Sequence, residues 1–266
     1  MINLDDICSK VMNLCFEVGE FIISEKSKIN LQNTEIKGIH NFVTYVDKAS
    51  EKRLVGELSL ILPESGFIAE EGTSNKIGKE FNWIIDPLDG TTNFIHGLSP
   101  FCISIALRQN DKIVLGVIYD PNLKEIFYAW EGGSAFLNGK VINVSKSNKL
   151  DNSLLATGFP YSDYSMLQNY LKVFEWCLLN THGVRRLGSA AIDLAYVACG
   201  RMDGFFEYGL SPWDVAAGAF IVEKAGGKVT DFSGDIDYVF GKEIIASNLF
   251  IHSEFIENFK MIFYKD

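Results

Sequence analysis

Two aspartates three residues apart, Asp86 and Asp89, follow the apolar run Trp83-Ile84-Ile85 and precede Gly90-Thr91-Thr92-Asn93-Phe94. The apolar run predicts a buried strand delivering Asp86 at its end, Pro87 predicts a turn, and Asp89-Gly90 predicts a short helix opening at Thr91. Both carboxylates are then aimed into one space. A hard cation such as magnesium takes several oxygen ligands at about 2.0–2.1 Å, and this turn adds the Leu88 carbonyl between the two side chains. The helix start behind it offers the amides of Gly90 and Thr91 to a phosphate. The same residues also fit plainer duties, Asp89 as an N-cap and Asp86 as a strand-end turn residue.

Two further acidic positions bear on that choice. Glu70-Glu71-Gly72 leaves a short apolar strand, and adjacent acids there repel one another unless solvent or a cation separates them. A solvated loop is the ordinary account of such a pair. Trp213-Asp214 opens an apolar helix that runs through Ala216-Ala217-Gly218 to Ala225-Gly226-Gly227. Asp214 fits the acidic first turn favoured by the helix dipole. The small residues after it also permit close packing of that helix beneath a site.

The elements that must position these acids are legible as periodicities. Residues 4–26 place Leu4, Ile7, Cys8, Val11, Leu14, Cys15, Val18, Phe21 and Ile22 at helical spacing. A second helix is expected from Asp47 to Leu62, stopped by Pro63. Strands are expected at 66–69 and 83–85, and an antiparallel meander at 101–142, with turns at Gln109-Asn110-Asp111 and Asp120-Pro121-Asn122. Beyond 150 the pattern alternates. Strands are expected at 154–157, 183–185, 204–207, 227–230 and 243–246, and helices at 163–180, 189–199, 213–225 and 252–263. Residues 1–150 thus read as an α+β half carrying the main acidic loop, and 151–266 as an α/β half. Without a Pro/Ser-rich linker between them, they are expected to form one compact unit with the site between the halves.

Composition narrows the partners. The chain has 266 residues, 34 acidic against 24 basic, and a net charge of -10. That balance repels polyanions, so neither nucleic acid nor an anionic membrane is an expected partner. An acidic protein accepts a phosphate most readily where bound divalent cations reverse the local sign. Five cysteines without a Cys-x-x-Cys pair argue against a disulfide framework or a zinc site. No run is apolar enough to span a membrane and the first residues lack a secretory pattern, so cytoplasmic residence is expected.

Together, the segments Trp83–Phe94 and Trp213–Gly227 resemble the two signature motifs of the inositol monophosphatase family. The resemblance extends from Asn41-Phe42-Val43-Thr44-Tyr45-Val46-Asp47 through Ile68-Ala69-Glu70-Glu71-Gly72 to Ala246-Ser247-Asn248. It implies a layered α/β fold, a helix-sheet-helix-sheet-helix sandwich of the inositol monophosphatase and sugar phosphatase type. It implies two or three Mg2+ ions, one held by Glu70, Asp86 and the Leu88 carbonyl, another by Asp86, Asp89 and Asp214, with a weaker third near Glu70. Asp47 and Thr91 match positions that orient the attacking water, with Glu70 counted beside them as catalytic. Gly188, Ser189, Ala190, Glu207 and Asp89 match contacts to ring hydroxyls. A lithium-sensitive cytoplasmic homodimer hydrolysing inositol monophosphate, or a related polyol or sugar phosphate, is the implied activity. A 3′(2′),5′-bisphosphate nucleotidase, a fructose-1,6-bisphosphatase or a non-catalytic regulatory protein on the same scaffold are the alternatives. Arg185-Arg186 doubles a basic position that the family usually holds once, and a dimer contact, a phosphate or a salt bridge would each account for it.

Overall fold

The computed structural model describes residues 2–28, 35–38, 41–161 and 163–264. Helix α1 (Leu4–Lys26) is followed by the antiparallel pair β1 (Glu35–Gly38) and β2 (Asn41–Val43), and then by α2 (Tyr45–Ile61). Next come β3 (Gly66–Ala69), β4 (Phe81–Asp89), the short α3 (Thr91–Ile95), β5 (Cys102–Gln109), β6 (Lys112–Asp120), β7 (Glu125–Trp130), β8 (Ala135–Leu137) and β9 (Lys140–Val141). The remainder is β10 (Leu154–Thr157), α4 (Leu167–Asn180), β11 (Gly183–Arg185), α5 (Ala190–Ala198), β12 (Gly204–Tyr208), α6 (Pro212–Lys224), β13 (Gly227–Thr230), β14 (Glu243–Asn248) and α7 (His252–Phe263).

Strands β3 to β9 form a seven-stranded sheet in chain order, antiparallel except for the β3–β4 pair. A five-stranded sheet has the order β11-β10-β12-β14-β13, parallel at its β11-β10-β12 side. Alternation along each strand sorts side chains between layers. From β5, Ile103, Ile105 and Leu107 pack toward α1 and α2, while Cys102 and Ala106 face the opposite core with α5 and α6. From β12, Phe205 joins that middle core, while Phe206 and Tyr208 face α4 and α7. Three apolar cores therefore separate five layers, helix-sheet-helix-sheet-helix, with α5 and α6 in the middle one. Close approach there depends on missing side chains: a Cβ on Gly116 of β6 would lie 2.8 Å from the Ala217 carbonyl oxygen of α6.

Three boundaries differ from the sequence expectation, each for a local reason. Helix α2 starts at Tyr45, because Thr44 caps it: Asp47 Oδ2 accepts from Thr44 N at 2.8 Å, and Thr44 Oγ1 accepts from Val46 N at 3.0 Å. Helix α4 starts at Leu167 rather than 163, because Asp163 Oδ1 accepts from Ser165 N and Oγ and holds a turn ahead of it. Strand β4 passes Asp86 and ends at Asp89. Cys8, Cys15, Cys102 and Cys177 are buried, and Cys199 is half-buried. Among the described residues no helix is long and apolar enough to cross a membrane.

Candidate active site

Strand β4 reaches the site through a bulge. Asp86 pairs with Ser104 of β5 and Asp89 with Cys102, so three steps on β4 oppose two on β5. Pro87 is tolerated here because β3 pairs only as far as Ile85, which leaves that edge of β4 without a ladder bond to lose. The bulge, rather than a strand end, presents the two carboxylates. Leu88 N donates to Asp86 Oδ1 at 2.9 Å. Gly90 then turns the chain at φ +92, where a Cβ would also come 3.0 Å from the Pro100 carbonyl and 3.3 Å from that of Gly188.

The acids meet at a cavity of about 290 Å³, room for one sugar-sized molecule. Glu70, Asp86, Leu88, Asp89, Gly90 and Thr91 line it from the β3–α3 side, and Gly188, Ser189, Ala190, Glu207 and Asp214 from the other. Asp89 is fixed by α5: Ser189 Oγ and Ala191 N donate to its Oδ2 at 2.7 and 2.8 Å. Asp214, in the first turn of α6, accepts from Ser211 N at 2.6 Å on Oδ2. It is thus both the early helical acid and a cavity acid. Glu207, on β12, lies over Gly158, where any Cβ would land on its carboxylate. Asp47 is the exception. It is fully buried behind Thr91 and does not line the cavity; Thr91 Oγ1 lies 2.9 Å from its Oδ1 and 3.0 Å from the Leu88 carbonyl. The expected phosphate-binding helix start is only the five-residue α3.

The electrostatics order the acids across the cavity. Burial raises the Asp86 carboxyl well above its usual range, reinforced by Glu70, then Asp89, then Asp214. Burial and Asp89 push Asp214 up to about 7. Burial raises Glu207, with Asp214 and Asp89 adding to the rise and Arg186 opposing it. Burial likewise raises Asp193, which feels Glu207 and Asp89. Glu70 and Asp86 therefore mark one end of the cavity, Asp89 and Asp214 its middle, and Glu207 and Asp193 the other.

Whether these residues suit divalent cations turns on their free oxygens. Among the described residues no protein donor reaches Asp86 Oδ2 or Asp214 Oδ1, and the opposed carboxylates are hard oxygen donors short of positive charge. Among the described residues no three acidic, histidine or cysteine side chains stand close enough to make a finished cage. The donor chemistry fits magnesium, then, with the acids gathered around a shared cavity.

Sequence reasoning passed over two participants, Glu51 and Asp193, and left the choice between Arg185 and Arg186 open. Glu51, fully buried one turn beyond Asp47 on α2, accepts from Glu71 N and Thr73 N, both at 2.7 Å, and so pins the loop that carries Glu70. Arg186 lines the cavity and donates to Tyr161 Oη at 2.6 Å, whereas Arg185 turns back onto the Val184 carbonyl. Asp193 lines the cavity from α5. Asp193, an acid between the apolar helix residues Ile192 and Leu194, was an available signal, whereas Glu51, beside Ser50, Lys52 and Arg53, gave none.

Comparison with known proteins places the chain in company. The model of the inositol monophosphatase family matches residues 3–262. The protein named Nus factor SuhB from Pseudomonas aeruginosa is 42% identical over 235 residues, covering 86% of this chain and 87% of that one. An inositol-1-monophosphatase from Mesorhizobium japonicum is 41% identical over 239 residues, 90% of each. The crystal structure of extragenic suppressor protein suhB from Bartonella henselae superposes with a TM-score of 0.89 at 39% identity, covering 95% of this chain and 97% of that one.

A raised carboxyl in the folded state means that folding takes up protons, so without cations Asp214 opposes folding little below pH about 4 and increasingly as pH rises through about 7. In chelator, the melting temperature falls across that window, and magnesium restores it at the upper end. Asp86→Asn, which keeps the acceptor for Leu88 N and removes the most opposed charge, flattens the fall. A metal-free melting temperature that stays level across the window contradicts this electrostatic picture.

Proposed function

The chain belongs to the inositol monophosphatase family, and from that premise we propose that it is a magnesium-dependent phosphomonoesterase acting on inositol monophosphate or a closely related polyol or sugar phosphate. The observation that carries this is the convergence of Glu70, Asp86, Asp89 and Asp214 on one cavity, with Asp86 in the field of the other three. Glu70, Asp86 and the Leu88 carbonyl would hold one magnesium, and Asp86, Asp89 and Asp214 a second; a third ion near Glu70 completes the reading. Ions bound there supply charge neutralisation for the phosphoryl group and lower the pKa of an attacking water.

The chain's own groups do the positioning. A threonine hydroxyl has one proton, and with Thr91 placing it on Asp47 Oδ1, the Thr91 lone pairs are left to accept from a water. That contact orients the water, and with the hydroxyl proton on Asp47 the Leu88 carbonyl takes none from Thr91. Asp47 acts through Thr91 as a positioning residue, held by the Thr44 amide and hydroxyl. Glu51 steadies the loop of Glu70. Glu207, with no protein donor among the described residues, is available to substrate hydroxyls, while Gly188, Ser189 and Ala190 shape the wall beside it.

Two features weigh against a bisphosphate substrate. Arg186 is the one cation lining the cavity among the described residues, and the end away from Glu70 carries Glu207 and Asp193, which repel a second phosphate. A non-catalytic regulatory protein would have little use for buried carboxylates that oppose one another. Asp86→Asn and Asp214→Asn are each expected to lower phosphate release by at least about a thousandfold with the circular dichroism spectrum intact. Across a panel of inositol phosphates, sugar phosphates and nucleotide bisphosphates, polyol monophosphates are expected to be preferred and lithium to inhibit. Near-normal rates of either variant in saturating magnesium would remove that aspartate from the metal site, and preference for adenosine 3′,5′-bisphosphate would select the nucleotidase.

The same reading includes a homodimer, for which the exposed Leu171, Leu178 and Leu179 of α4 supply an apolar face. Sedimentation velocity giving a monomer at micromolar concentration would exclude it. A second role follows from relatives named Nus factor SuhB. The net charge of -10 argues against direct contact with nucleic acid in such a role. Filter binding with RNA and DNA at low salt is expected to show no retention; salt-sensitive retention would overturn that exclusion.

A further inference from the structure

Asp193 has no duty in the chemistry above. Its side chain is 1% exposed, forms part of the cavity wall, and has an Oδ1 that is enclosed without a hydrogen-bond partner. No protein donor reaches either of its oxygens among the described residues. The aspartates nearer the metal end are treated differently: Leu88 N serves Asp86, Ser189 Oγ and Ala191 N serve Asp89, and Ser211 N serves Asp214. A buried carboxyl without a donor costs stability. Packing does not call for one here, since the adjoining helix positions Ile192, Leu194 and Ala195 are buried and apolar. Its Oδ1 is closed off, so Oδ2 is the oxygen left to a group entering the cavity.

The position narrows what that is. Glu207 first and then Asp89 act on Asp193, while Glu70 and Asp86 do not, so it belongs to the Glu207 wall of the cavity, away from Glu70 and Asp86. Glu207 shares its condition, 5% exposed and without a protein donor among the described residues. A phosphate would be repelled by the pair. Arg186 already offsets their charge, which lessens the demand for a further cation. Hydroxyl groups satisfy both carboxyls without adding charge, because each O–H donates one hydrogen bond. The absence of a side chain at Gly158 lets the Glu207 carboxylate lie in the cavity wall, since any Cβ there would collide with it.

Resting on the phosphomonoesterase reading, we propose that Asp193 accepts a hydrogen bond from a substrate hydroxyl and, paired with Glu207, sets which hydroxyl pattern on a polyol ring is turned over. A site built to bind a hydroxyl rejects the analogue that lacks it, because the buried acceptor is then left bare.

The test is a chemical double-mutant cycle. The kcat/KM values of inositol monophosphate and of monodeoxy analogues, each lacking one ring hydroxyl, are measured for the wild type, Asp193→Leu and Asp193→Asn. One analogue is expected to be disfavoured by at least about tenfold in the wild type. That discrimination collapses toward unity in Asp193→Leu, returns in part in Asp193→Asn, which retains an acceptor oxygen, and is unaltered for analogues deleted elsewhere. The Leu variant is also expected to melt no lower than the wild type, since it removes an unsatisfied acid. Discrimination unchanged in both variants, or lost equally for every analogue, overturns the proposal alone. A wild type that turns over no polyol phosphate sinks the underlying function and this proposal with it.

Discussion

Six carboxyl groups, Glu70, Asp86, Asp89, Asp193, Glu207 and Asp214, share the wall of one small cavity, and their mutual repulsion is the constraint to which the surrounding structure answers. Burial removes the water that would screen them, so each opposes the ionisation of its neighbours. The fold holds them together with rigid means. Asp86 and Asp89 sit on a bulged central strand, Asp214 is tied to the start of α6, and Asp89 is gripped from α5 by a hydroxyl and an amide. That cost is offset when divalent cations occupy the metal end and hydroxyl groups the other, which turns an unfavourable cluster into a receptor for an anionic ester of a neutral polyol.

The layers make such an assembly affordable in space. α5 and α6 lie between the two sheets; Gly116 lets β6 sit close against Ala217 of α6, and Gly218 lets α6 sit close against Leu194 of α5. Asp214 is thereby carried to the cavity from one side while β4 brings Asp86 and Asp89 from the other. Helix α2 spans both parts of the reaction centre: Asp47 orders Thr91, and Glu51 orders the loop of Glu70. One helix thus sets the registry between the water-orienting group and a metal ligand.

Much of this was legible in the sequence because it is periodic or local. Period-two and period-3.6 patterns gave most strands and helices, and Asp-Pro-Leu-Asp-Gly-Thr with Trp-Asp-Val-Ala-Ala-Gly pointed to the acids and to their family. What escaped depended on distance along the chain. Glu51 finds its partners about twenty residues away, and Asp193 meets Glu207 only across packed elements. Nor could spacing show that β4 bulges past Pro87, since that depends on where β3 stops pairing. The resemblance gives Asp47 and Thr91 one shared role, but only the packing reveals that Asp47 meets Thr91 from behind the cavity wall.

Anomalous diffraction from crystals soaked in manganese, which takes the same oxygen ligands as magnesium, addresses the cation-binding site directly. Two peaks about 3.5–4 Å apart, sharing Asp86 and flanked by Glu70 on one side and by Asp89 and Asp214 on the other, are the predicted result. Crystals saturated with manganese that show no peak at these carboxylates would contradict the account at its foundation.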